Sequence, residues 1–439
     1  MKKYLESFSQ RLFADLKINE EVSLAVSSEE SDFIRFNQSK IRQNTSVNQH
    51  DLMLTYQSNQ RLYKTKFSLT LDLEVDLKFA LAKIKLLREQ LNNTDENPQF
   101  FAMENNGTSE VYKKNDRPDT TQLMALISDT FKDSDLAGFW TSGPIRQASI
   151  NSKGQFHYFE TDSFFFDYSL YNGPRAAKGF YSSAQWNEKA FLAKAHESKN
   201  TLSLLSRPQV KVSPGAYKSY LEPMALAEIM GMFSGGALSR NSYEQGYAPL
   251  KKLNEKEKLL SKQFSLIEDN TLSFDTHFNS IGEIVPDKLP LIENGELKNF
   301  LTSTATAKEY KLQSNQADPT EALRSFEVRA GTLEKSEVLN NLGKGLYLSN
   351  LHYINWSDVQ AARITGMTRF ACFWVEGGEI VGPIQDLRFD DTIYNLFGDN
   401  FGAFTKHQEI FTSTSTYLRR SMGGMKVPGV IINSFNFTL

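Results

Sequence analysis

Apolar and polar side chains recur with two distinct periods near the start of the chain. The first apolar residues follow helical spacing, which predicts an opening amphipathic helix: Leu5, Phe8, Leu12, Phe13 and Leu16. Residues 33–36 and the stretch through Ile41 and Val47 alternate between apolar and polar side chains instead, as half-buried strands do. A helix followed by strands is therefore expected at the N-terminus.

A hairpin and a long helix complete this first unit. Leu52, Leu54 and Tyr56 alternate up to a polar turn at residues 57–60, and apolar residues resume after it. From residue 77 the period changes, and the apolar residues lie on one helical face: Leu77, Leu81, Ile84, Leu87 and Leu91. We assign residues 1–95 to an N-terminal α/β domain with an antiparallel sheet.

The middle of the chain predicts a second unit of mixed helices and strands. Residues 92–119 are polar and contain Pro98, Gly107 and Pro118, which indicates a connector. Helical and strand patterns then follow in turn, at about residues 120–132, 154–158, 164–170 and 184–196. We assign residues 110–205 to a middle α/β domain.

The remaining residues, 210–439, predict a larger and mainly β-structured domain. Residues 210–215 read as a strand that leads into it. Residues 223–233 are apolar nearly all round, and Pro223 suits a first helical position, so they predict a buried helix. Strand patterns dominate afterwards, with a Gly-Gly hairpin and two closing strands at 370–381, 430–432 and 435–439. The predicted fold class is α+β, with a β-rich C-terminal domain around a buried helix.

Composition narrows the class of protein without identifying its chemistry. The 439 residues carry 49 basic and 52 acidic side chains, a net charge of -3, so nucleic-acid binding is disfavoured as the main function. Glu6, Arg11 and Asp15 interrupt the apolar region that a signal peptide would need, and no apolar stretch is long enough to predict a membrane span. The single cysteine requires no oxidising compartment, which favours a cytoplasmic location.

Few residues form patterns that are typical of a catalytic or metal site. The six histidines are scattered and none has another four residues away, so a zinc site built from this chain alone is not expected. His196 and Glu197 match the start of a zincin motif, but the residues after them indicate a solvated helix end. Cys372 lies in an apolar strand pattern and is expected to be a buried hydrophobe. The glycines after the predicted buried helix lack the context of a phosphate-binding loop: Gly231, Gly235 and Gly236.

Acidic and aromatic residues leave further possibilities open. Asp390 with Asp391, and Glu376 with Glu379, would support acid–base chemistry if two carboxylates were held together, although adjacent acids usually point apart. The 32 Phe, 17 Tyr and 4 Trp fit either a β-rich core or a peptide-binding groove lined with aromatic rings. The sequence does not choose between these two explanations.

Short motifs occur along the chain in an order that resembles the TldD/PmbA family. Residues 32–37 (DFIRFN) and the hairpin after them resemble the opening domain of that family. Residues 212–228 (VSPGAYKSYLEPMALAE) resemble the start of its C-terminal domain. Further similar motifs follow in the same order: 279–284 (NSIGEI), 291–297 (LIENGEL), 345–347 (GLY), 365–366 (TG) and 376–380 (EGGEI). The resemblance thus covers nearly the whole chain.

The resemblance implies a role in proteolysis or peptide maturation. TldD-type members resemble zinc peptidases in which a His-Glu-x-x-x-His helix supplies two of the ligands. The position of that motif corresponds here to the segment that contains Leu221, Glu222 and Glu228, and no histidine occurs between residues 196 and 277. The chain is therefore similar to the PmbA (TldE) type. No catalytic residue, metal or cofactor is expected in this chain, and zinc is expected only in a TldD-like partner.

Three functions are consistent with these patterns. The first is a non-catalytic PmbA/TldE-like subunit that forms part of the chamber for a peptide or unfolded-protein substrate, while a TldD-like metallopeptidase subunit supplies the zinc. The second is a homodimeric peptide-binding or scaffolding protein without peptidase activity. The third is a peptidase that acts alone through a site that no motif reveals. Neither a nucleic acid nor a membrane is expected as a partner.

Overall fold

The computed structural model describes residues 1–91, 93, 95–96 and 100–438. Its helices are α1 (Lys2–Phe13), α2 (Leu73–Leu91), α3 (Thr120–Thr130), α4 (Glu188–Leu204), α5 (Pro223–Gly231), α6 (Arg240–Glu244), α7 (Lys251–Asn254), α8 (Thr304–Tyr310) and α9 (Val338–Leu342). The strands of the first sheet are β1 (Glu21–Asn37), β2 (Lys40–Ser58), β3 (Arg61–Ser68), β4 (Thr108–Lys113), β5 (Asp135–Asn151), β6 (Phe156–Asn172) and β7 (Arg175–Tyr181). The strands of the larger sheet are β8 (Gly215–Leu221), β9 (Leu266–Asp269), β10 (Lys288–Glu293), β11 (Glu296–Leu297), β12 (Ser325–Val328), β13 (Gly345–Leu348), β14 (Asn350–Asp358), β15 (Arg363–Arg369), β16 (Phe373–Glu376), β17 (Glu379–Pro383), β18 (Arg388–Thr392), β19 (Phe401–Thr412) and β20 (Gly424–Phe437).

The first sheet has the strand order β3-β2-β1-β5-β6-β4, and β7 also pairs with β6. All of these neighbours are antiparallel except β4, which runs parallel to the first half of β6. β7 pairs with the second half of β6, so β4 and β7 follow one another along the same side of that strand. Strands from both predicted N-terminal units therefore lie in one sheet, while the boundaries at residues 95, 110, 205 and 210 stay predictions.

The alternation of the long strands determines what each face of the first sheet contacts. Their even-numbered apolar residues all point to one face. One end of this face packs against α1 and α2 through residues such as Leu24 and Ile150. The other end packs against α3 and α4 through residues such as Trp140 and Phe166. All four helices therefore cover the same face of the sheet.

The odd-numbered face of the first sheet contacts the C-terminal unit. Phe165 belongs to the large C-terminal hydrophobic core, and Phe139 packs against it. After β7, the Ser182 hydroxyl donates a hydrogen bond of 2.9 Å to the carbonyl oxygen of Ile410 in β19. Lys194 Nζ of α4 donates to both carboxylate oxygens of Glu409 in β19, each at 2.9 Å. Apolar and charged contacts thus fix the two units against each other.

One side of α5 packs against the larger sheet, mainly on β20 and β14. The longest path of paired strands in this sheet is β11-β10-β9-β12-β20-β8-β13-β16-β17, and β14, β15, β18 and β19 join through further pairings. The α5 side chains that enter the core have no exposed surface: Ala225, Leu226, Ile229 and Met230. A single 3-10 turn, Met232–Ser234, continues the chain after this helix.

The main expectations from the sequence are confirmed. The fold is α+β, with an antiparallel N-terminal sheet, a larger C-terminal sheet and a buried helix, α5, where residues 223–233 predict one. The turn predicted at 57–60 lies between β2 and β3, and the Gly-Gly turn lies between β16 and β17. The two predicted closing strands are one strand, β20, and residue 439 lies outside the described residues.

Two local predictions are wrong. Residues 211–214 form no strand, because the Gln385 side chain bonds to the backbone of Val212 in place of a neighbouring strand, and Gly215 already begins β8. Only an isolated bridge joins Val210 to Ile384 there. The predicted connector at 92–119 contains β4, a partly exposed edge strand that lacks a clear apolar alternation. Residues 92, 94 and 97–99 of that connector lie outside the described residues.

Helices in the described part of the chain are all too short or too polar to cross a membrane.

Gly179 in β7 packs directly against the ring of Tyr168. A Cβ atom at this position would lie 2.1 Å from that ring, which stacks on Phe166 with 4.7 Å between ring centroids and has a 2.9 Å hydrogen bond with the Ser198 hydroxyl. We expect Gly179→Ala to lower the free energy of unfolding by about 1–3 kcal/mol because the buried ring has no space to move. Denaturant unfolding at pH 7 measures this change.

Gly231→Ala is the matched control for this substitution. No atom lies within 4 Å of a Cβ placed at Gly231, and alanine favours a helix more than glycine does. The control is expected to be as stable as the wild-type chain or slightly more stable. A Gly179→Ala variant with wild-type stability would contradict the packing described for β7.

Candidate functional site

A cleft with a volume of about 800 Å³ separates the odd-numbered face of the first sheet from α5. Its walls include Asp167 of β6, Lys178 of β7 and Glu228 of α5. Arg369 at the end of β15 and residues 412–415 at and after the end of β19 also line it. Because both units contribute to the walls, the shape of the cleft depends on the contact between them.

Charged side chains of opposite sign line this cleft in equal number. Three are acidic and three are basic: Asp167, Glu228, Asp275, Lys178, Arg324 and Arg369. Lys178 forms an ion pair with Asp167, and Arg324 forms one with Asp275 at 2.9 Å. The charges of these four residues are thus compensated within the cleft wall.

Glu228 is the acidic residue that α5 presents to the cleft. It is exposed to the solvent of the cleft, yet the surrounding walls exclude part of that solvent. Burial therefore raises the pKa of the Glu228 carboxyl; Lys178 and Arg369 oppose the rise, and Asp167 adds to it. The electrostatic environment of this carboxylate is dominated by two nearby cations and one anion.

Aromatic rings form the apolar part of the cleft wall. Within the described residues they come from both units: Phe180, Phe326, Phe370 and Phe411. The Arg369 guanidinium lies 4.7 Å from the centroid of the Phe370 ring, and its Nη1 lies 3.2 Å from Nδ1 of His352. The cleft wall thus places aromatic rings beside charged groups.

Residues 413–423, which we call the crossing segment, connect β19 to β20 across the edge of the cleft. Gln49 Nε2 in β2 donates to the carbonyl oxygen of Leu418 at 2.8 Å, and Arg419 forms an ion pair with Asp51. The backbone N–H of Arg420 donates to a carboxylate oxygen of Glu29 at 3.2 Å. The crossing segment therefore ties one wall of the cleft to the first sheet.

A cluster of charged side chains surrounds Glu222 at the start of α5. The Tyr347 hydroxyl donates to the Glu222 carboxylate. Burial raises the pKa of Glu222 to about 7, while Lys194 opposes this rise and Glu197 adds to it. Glu409 has a pKa held well below its usual range; its burial acts in the opposite direction but is outweighed by Lys194. The cluster thus combines a permanently ionised pair with a carboxyl that titrates near neutrality.

The structure does not bring the residues at the predicted motif position together into one site. Leu221 is fully buried in β8, where it pairs with Leu348 and Val430. Glu222 belongs to the charged cluster, whereas Glu228 lines the cleft. Of these three residues, Glu228 alone is among the residues that line the cleft.

The other candidate residues serve the fold. Burial raises the pKa of Cys372 to about 11, so this thiol is not an activated nucleophile. Asp390 pairs with Arg363 at 3.0 Å, and Asp391 accepts backbone hydrogen bonds from Thr392 and Asn436. Three remaining candidates lie outside the main cleft. Glu376 pairs with Lys344 at 2.8 Å, and Glu379 lies opposite it in the β16–β17 hairpin. His196 lines a smaller pocket beside Tyr347.

Sequence reasoning misses most of the charged residues of the cleft. Asp167 and Lys178 face the same side only because β6 and β7 pair in a register that places Phe180 opposite Asp167 and Lys178 opposite Ser169. Arg369 is almost two hundred residues further along the chain. The alternation along β6 predicts on which face of the sheet Asp167 lies. No local pattern indicates which residues from distant parts of the chain lie near it.

Across the described ranges, no group of three or more His, Cys, Asp or Glu side chains is arranged so that it could hold a metal ion.

Three solved structures share this fold over almost its whole length. One is a crystal structure of a candidate modulator of a DNA gyrase from Thermotoga maritima, with a TM-score of 0.78, 16% identity, and coverage of 99% of this chain and 100% of that one. TldE from Thermococcus kodakarensis has a TM-score of 0.78, 15% identity, and coverage of 99% and 100%. A candidate modulator of DNA gyrase from Bacteroides thetaiotaomicron has a TM-score of 0.76, 14% identity, and coverage of 100% and 98%. Identities this low establish the fold alone.

The fold and the cleft define a two-sheet α+β protein of the type seen in those three structures. Residues 214–439, just over half of the chain, match the family described as the PmbA/TldA metallopeptidase C-terminal domain. The chain belongs to the PmbA/TldD family, and the resemblance of its sequence motifs is confirmed. No curated protein matches the chain.

The raised pKa of Glu222 predicts a pH dependence of stability. The ordinary pKa is 4.5 and the folded value is about 7, so between these values the folded chain holds a proton that the unfolded chain has lost. Stability therefore falls as the pH rises through this window. Glu222→Gln keeps an acceptor for Tyr347 and removes the titration. We expect it to be more stable than the wild-type chain by about 1–3 kcal/mol at pH 8, measured by denaturant unfolding from pH 4 to pH 8.

The comparison must be made at each pH because Glu268 titrates in the same window. Burial raises its pKa to about 7 as well, and it contributes equally to the wild-type and Glu222→Gln curves. The difference between the two curves isolates Glu222. Parallel curves over this range would show that Glu222 does not titrate there.

Proposed function

We propose that this chain is a PmbA/TldE-like subunit of a TldD/PmbA-type metallopeptidase system that acts in proteolysis or peptide maturation. The observation that carries the proposal is the cleft between the first sheet and α5, which is lined from both units by paired charges and aromatic rings. A polypeptide in an extended conformation is the substrate that such a wall accommodates. The chain would form part of the substrate chamber in a cytoplasmic assembly.

The side chains near α5 that could bind a metal ion support a subunit that does not itself hold zinc. Glu228 is the carboxylate that α5 presents to the cleft, and the charges of Lys178 and Arg369 act on it. Asp167 and Asp275 are each paired with a cation, so Glu228 is the one carboxylate among the described cleft residues without an ion pair, and a zinc site needs three or four ligands. The described cleft residues therefore do not fit the zinc that the family implies, and we assign the metal to a TldD-like partner.

The proposal predicts the metal content and activity of the isolated chain. We expect the purified chain to contain no stoichiometric zinc and to cleave no unfolded peptide, and to co-purify with a TldD-like chain that carries the His-Glu-x-x-x-His helix. Elemental analysis, peptide cleavage and co-purification measure these three properties, with the partner alone as the control for activity.

Two results would contradict the proposed role of the chain. Stoichiometric zinc together with cleavage by the isolated chain would contradict a non-catalytic subunit. Failure to co-purify with any histidine-bearing relative, combined with a self-associated state in solution, would favour the alternative of a homodimeric peptide-binding or scaffolding protein.

Gly231 allows the peptide-binding part of the proposal to be tested by filling the cleft. The residue lines the cleft, and no atom lies within 4 Å of a Cβ placed there, so a phenylalanine ring would occupy cleft volume without disturbing the helix. We expect Gly231→Phe to weaken binding of a fluorescein-labelled, unstructured ten-residue peptide at least tenfold, measured by fluorescence anisotropy. Gly231→Ala is the matched control and is expected to bind normally. Equal affinities for the two variants would exclude the cleft as the peptide site.

A further inference from the structure

The first half of β2 forms an unpaired edge of the first sheet. β3 pairs with β2 only from Asp51 onwards, and Leu69, directly after β3, donates its backbone N–H to the carbonyl oxygen of His50 at 2.7 Å. Residues 43–49, which we call the free edge, pair with β1 on one side. On their other side they pair with no strand of the described chain. Their outward backbone groups are therefore available to another chain.

The free edge lacks the features that usually prevent the addition of a further strand. Its sequence is QNTSVNQ, which contains no charge, no proline and no glycine. The nearest charged residues before it are Lys40 and Arg42. Val47 and Gln49 are half-buried, and the other residues of the free edge are exposed. A second strand therefore meets neither a steric nor an electrostatic barrier along this segment.

The sequence of the free edge is nearly the same in both directions. We consider two copies of the chain whose free edges run antiparallel about a two-fold axis at Ser46. Each residue then lies opposite a residue of the same type or of similar shape: Gln43 with Gln49, Asn44 with Asn48, Thr45 with Val47, and Ser46 with Ser46. The free edge is therefore complementary to a second copy of itself, as a two-fold interface requires.

The backbone of the free edge is oriented for this alignment. The N–H and C=O of one strand residue point to the same side of the strand, and the side alternates from one residue to the next. The His50 carbonyl points to the side of β3, so the backbone groups of Asn44, Ser46 and Asn48 point to that side as well. These are the residues that face one another when the axis passes through Ser46. Each facing pair can thus exchange both of its backbone hydrogen bonds.

Both ends of the free edge fit the same alignment. Arg42 of one copy would lie opposite His50 of the other, where Leu69 already occupies the edge. Arg42 has no partner on β1, because the register shifts there between Gln43 and Ile41. A bulge of this kind bends a strand. The hairpin of the second copy can therefore turn away at the position where β3 begins.

Exposed apolar side chains lie beside one end of the free edge. Tyr417 and Leu418 of the crossing segment are 85% and 73% exposed, and Leu418 is held next to Gln49 by the hydrogen bond described above. Leu418 also lines a pocket of about 350 Å³ together with Phe33 and Gln43. Because Gln43 of the second copy lies opposite Gln49, the second copy would cover this apolar surface in addition to pairing with the backbone.

We propose that the free edge is a self-association surface, at which a second copy of this chain adds its own residues 43–49 in antiparallel orientation. The first sheets of the two copies then form one continuous sheet. β1 and β5 lie between the free edge and β6, which forms a wall of the cleft. The proposal therefore goes beyond the proposed function and concerns a different surface.

Two charge variants test the alignment. Asn44→Lys/Asn48→Lys places lysine opposite lysine across the axis, and Asn44→Glu/Asn48→Glu places glutamate opposite glutamate; both asparagines are exposed. We expect the wild-type chain to sediment at micromolar concentrations with twice the mass of one chain. Each variant alone is expected to dimerise at least about tenfold more weakly, because like charges face each other. An equimolar mixture of the two variants is expected to restore the dimer, since each lysine then faces a glutamate.

Ser7→Lys/Gln10→Lys is the matched control for the added charge. Both residues are exposed on α1, and the variant gains the same two positive charges as the lysine variant of the free edge. It is expected to dimerise as the wild-type chain does. Loss of the dimer in this control would assign the effect to net charge and overturn the proposal.

The remaining outcomes identify what occupies the free edge. A monomeric wild-type chain, variants that dimerise as the wild type does, or a mixture that stays monomeric although circular dichroism shows both variants folded would each overturn the proposal. A monomeric wild-type chain that co-purifies with a TldD-like chain, while the lysine variant does not, would assign the edge to that partner and overturn the second copy. Failure of peptide binding or of zinc-dependent cleavage would contradict the proposed function and leave this interface standing.

Discussion

The strict alternation of side chains along β1, β5 and β6 is the constraint on which the rest of the structure depends. Even-numbered positions such as Trp140 and Phe166 bind the helices, and odd-numbered positions such as Phe139 and Phe165 bind the C-terminal unit. A shift of one residue in the pairing would exchange the two faces. The register of these long strands therefore determines both the N-terminal core and the position of the cleft.

Charged contacts join the two units in addition to the apolar packing. The Lys194–Glu409 pair joins α4 to β19 inside the protein, where losing one partner would leave a buried unpaired charge. Such a pair contributes little net stability, but it favours one relative placement of the two units over others. The crossing segment adds a second link through Arg419 and Asp51.

Local patterns predict the elements of this fold better than they predict its cleft. The apolar sequence of α5 and the alternation of β6 follow from neighbouring residues, so both could be predicted, as could the family through ordered motifs. β4 could not, because this exposed edge strand lacks a clear apolar alternation. Residues 211–214 form no strand although their sequence resembles one, since the Gln385 side chain takes the place of a partner strand. Lys178 and Arg369 belong to different sheets and reach the same cleft only because the two units pack against each other. The motif position predicted Glu222 and Glu228 as site residues. The structure places Glu222 in the charged cluster and Glu228 in the cleft.

The distribution of charge connects the cleft with a division of labour between subunits. The two ion pairs in the cleft wall satisfy their charges without a metal or a ligand, so this part of the wall can contact a neutral polypeptide backbone. In the proposed assembly, the metal that would polarise a scissile amide carbonyl comes from the partner subunit. A subunit of this kind would hold the substrate and leave the chemistry to its partner.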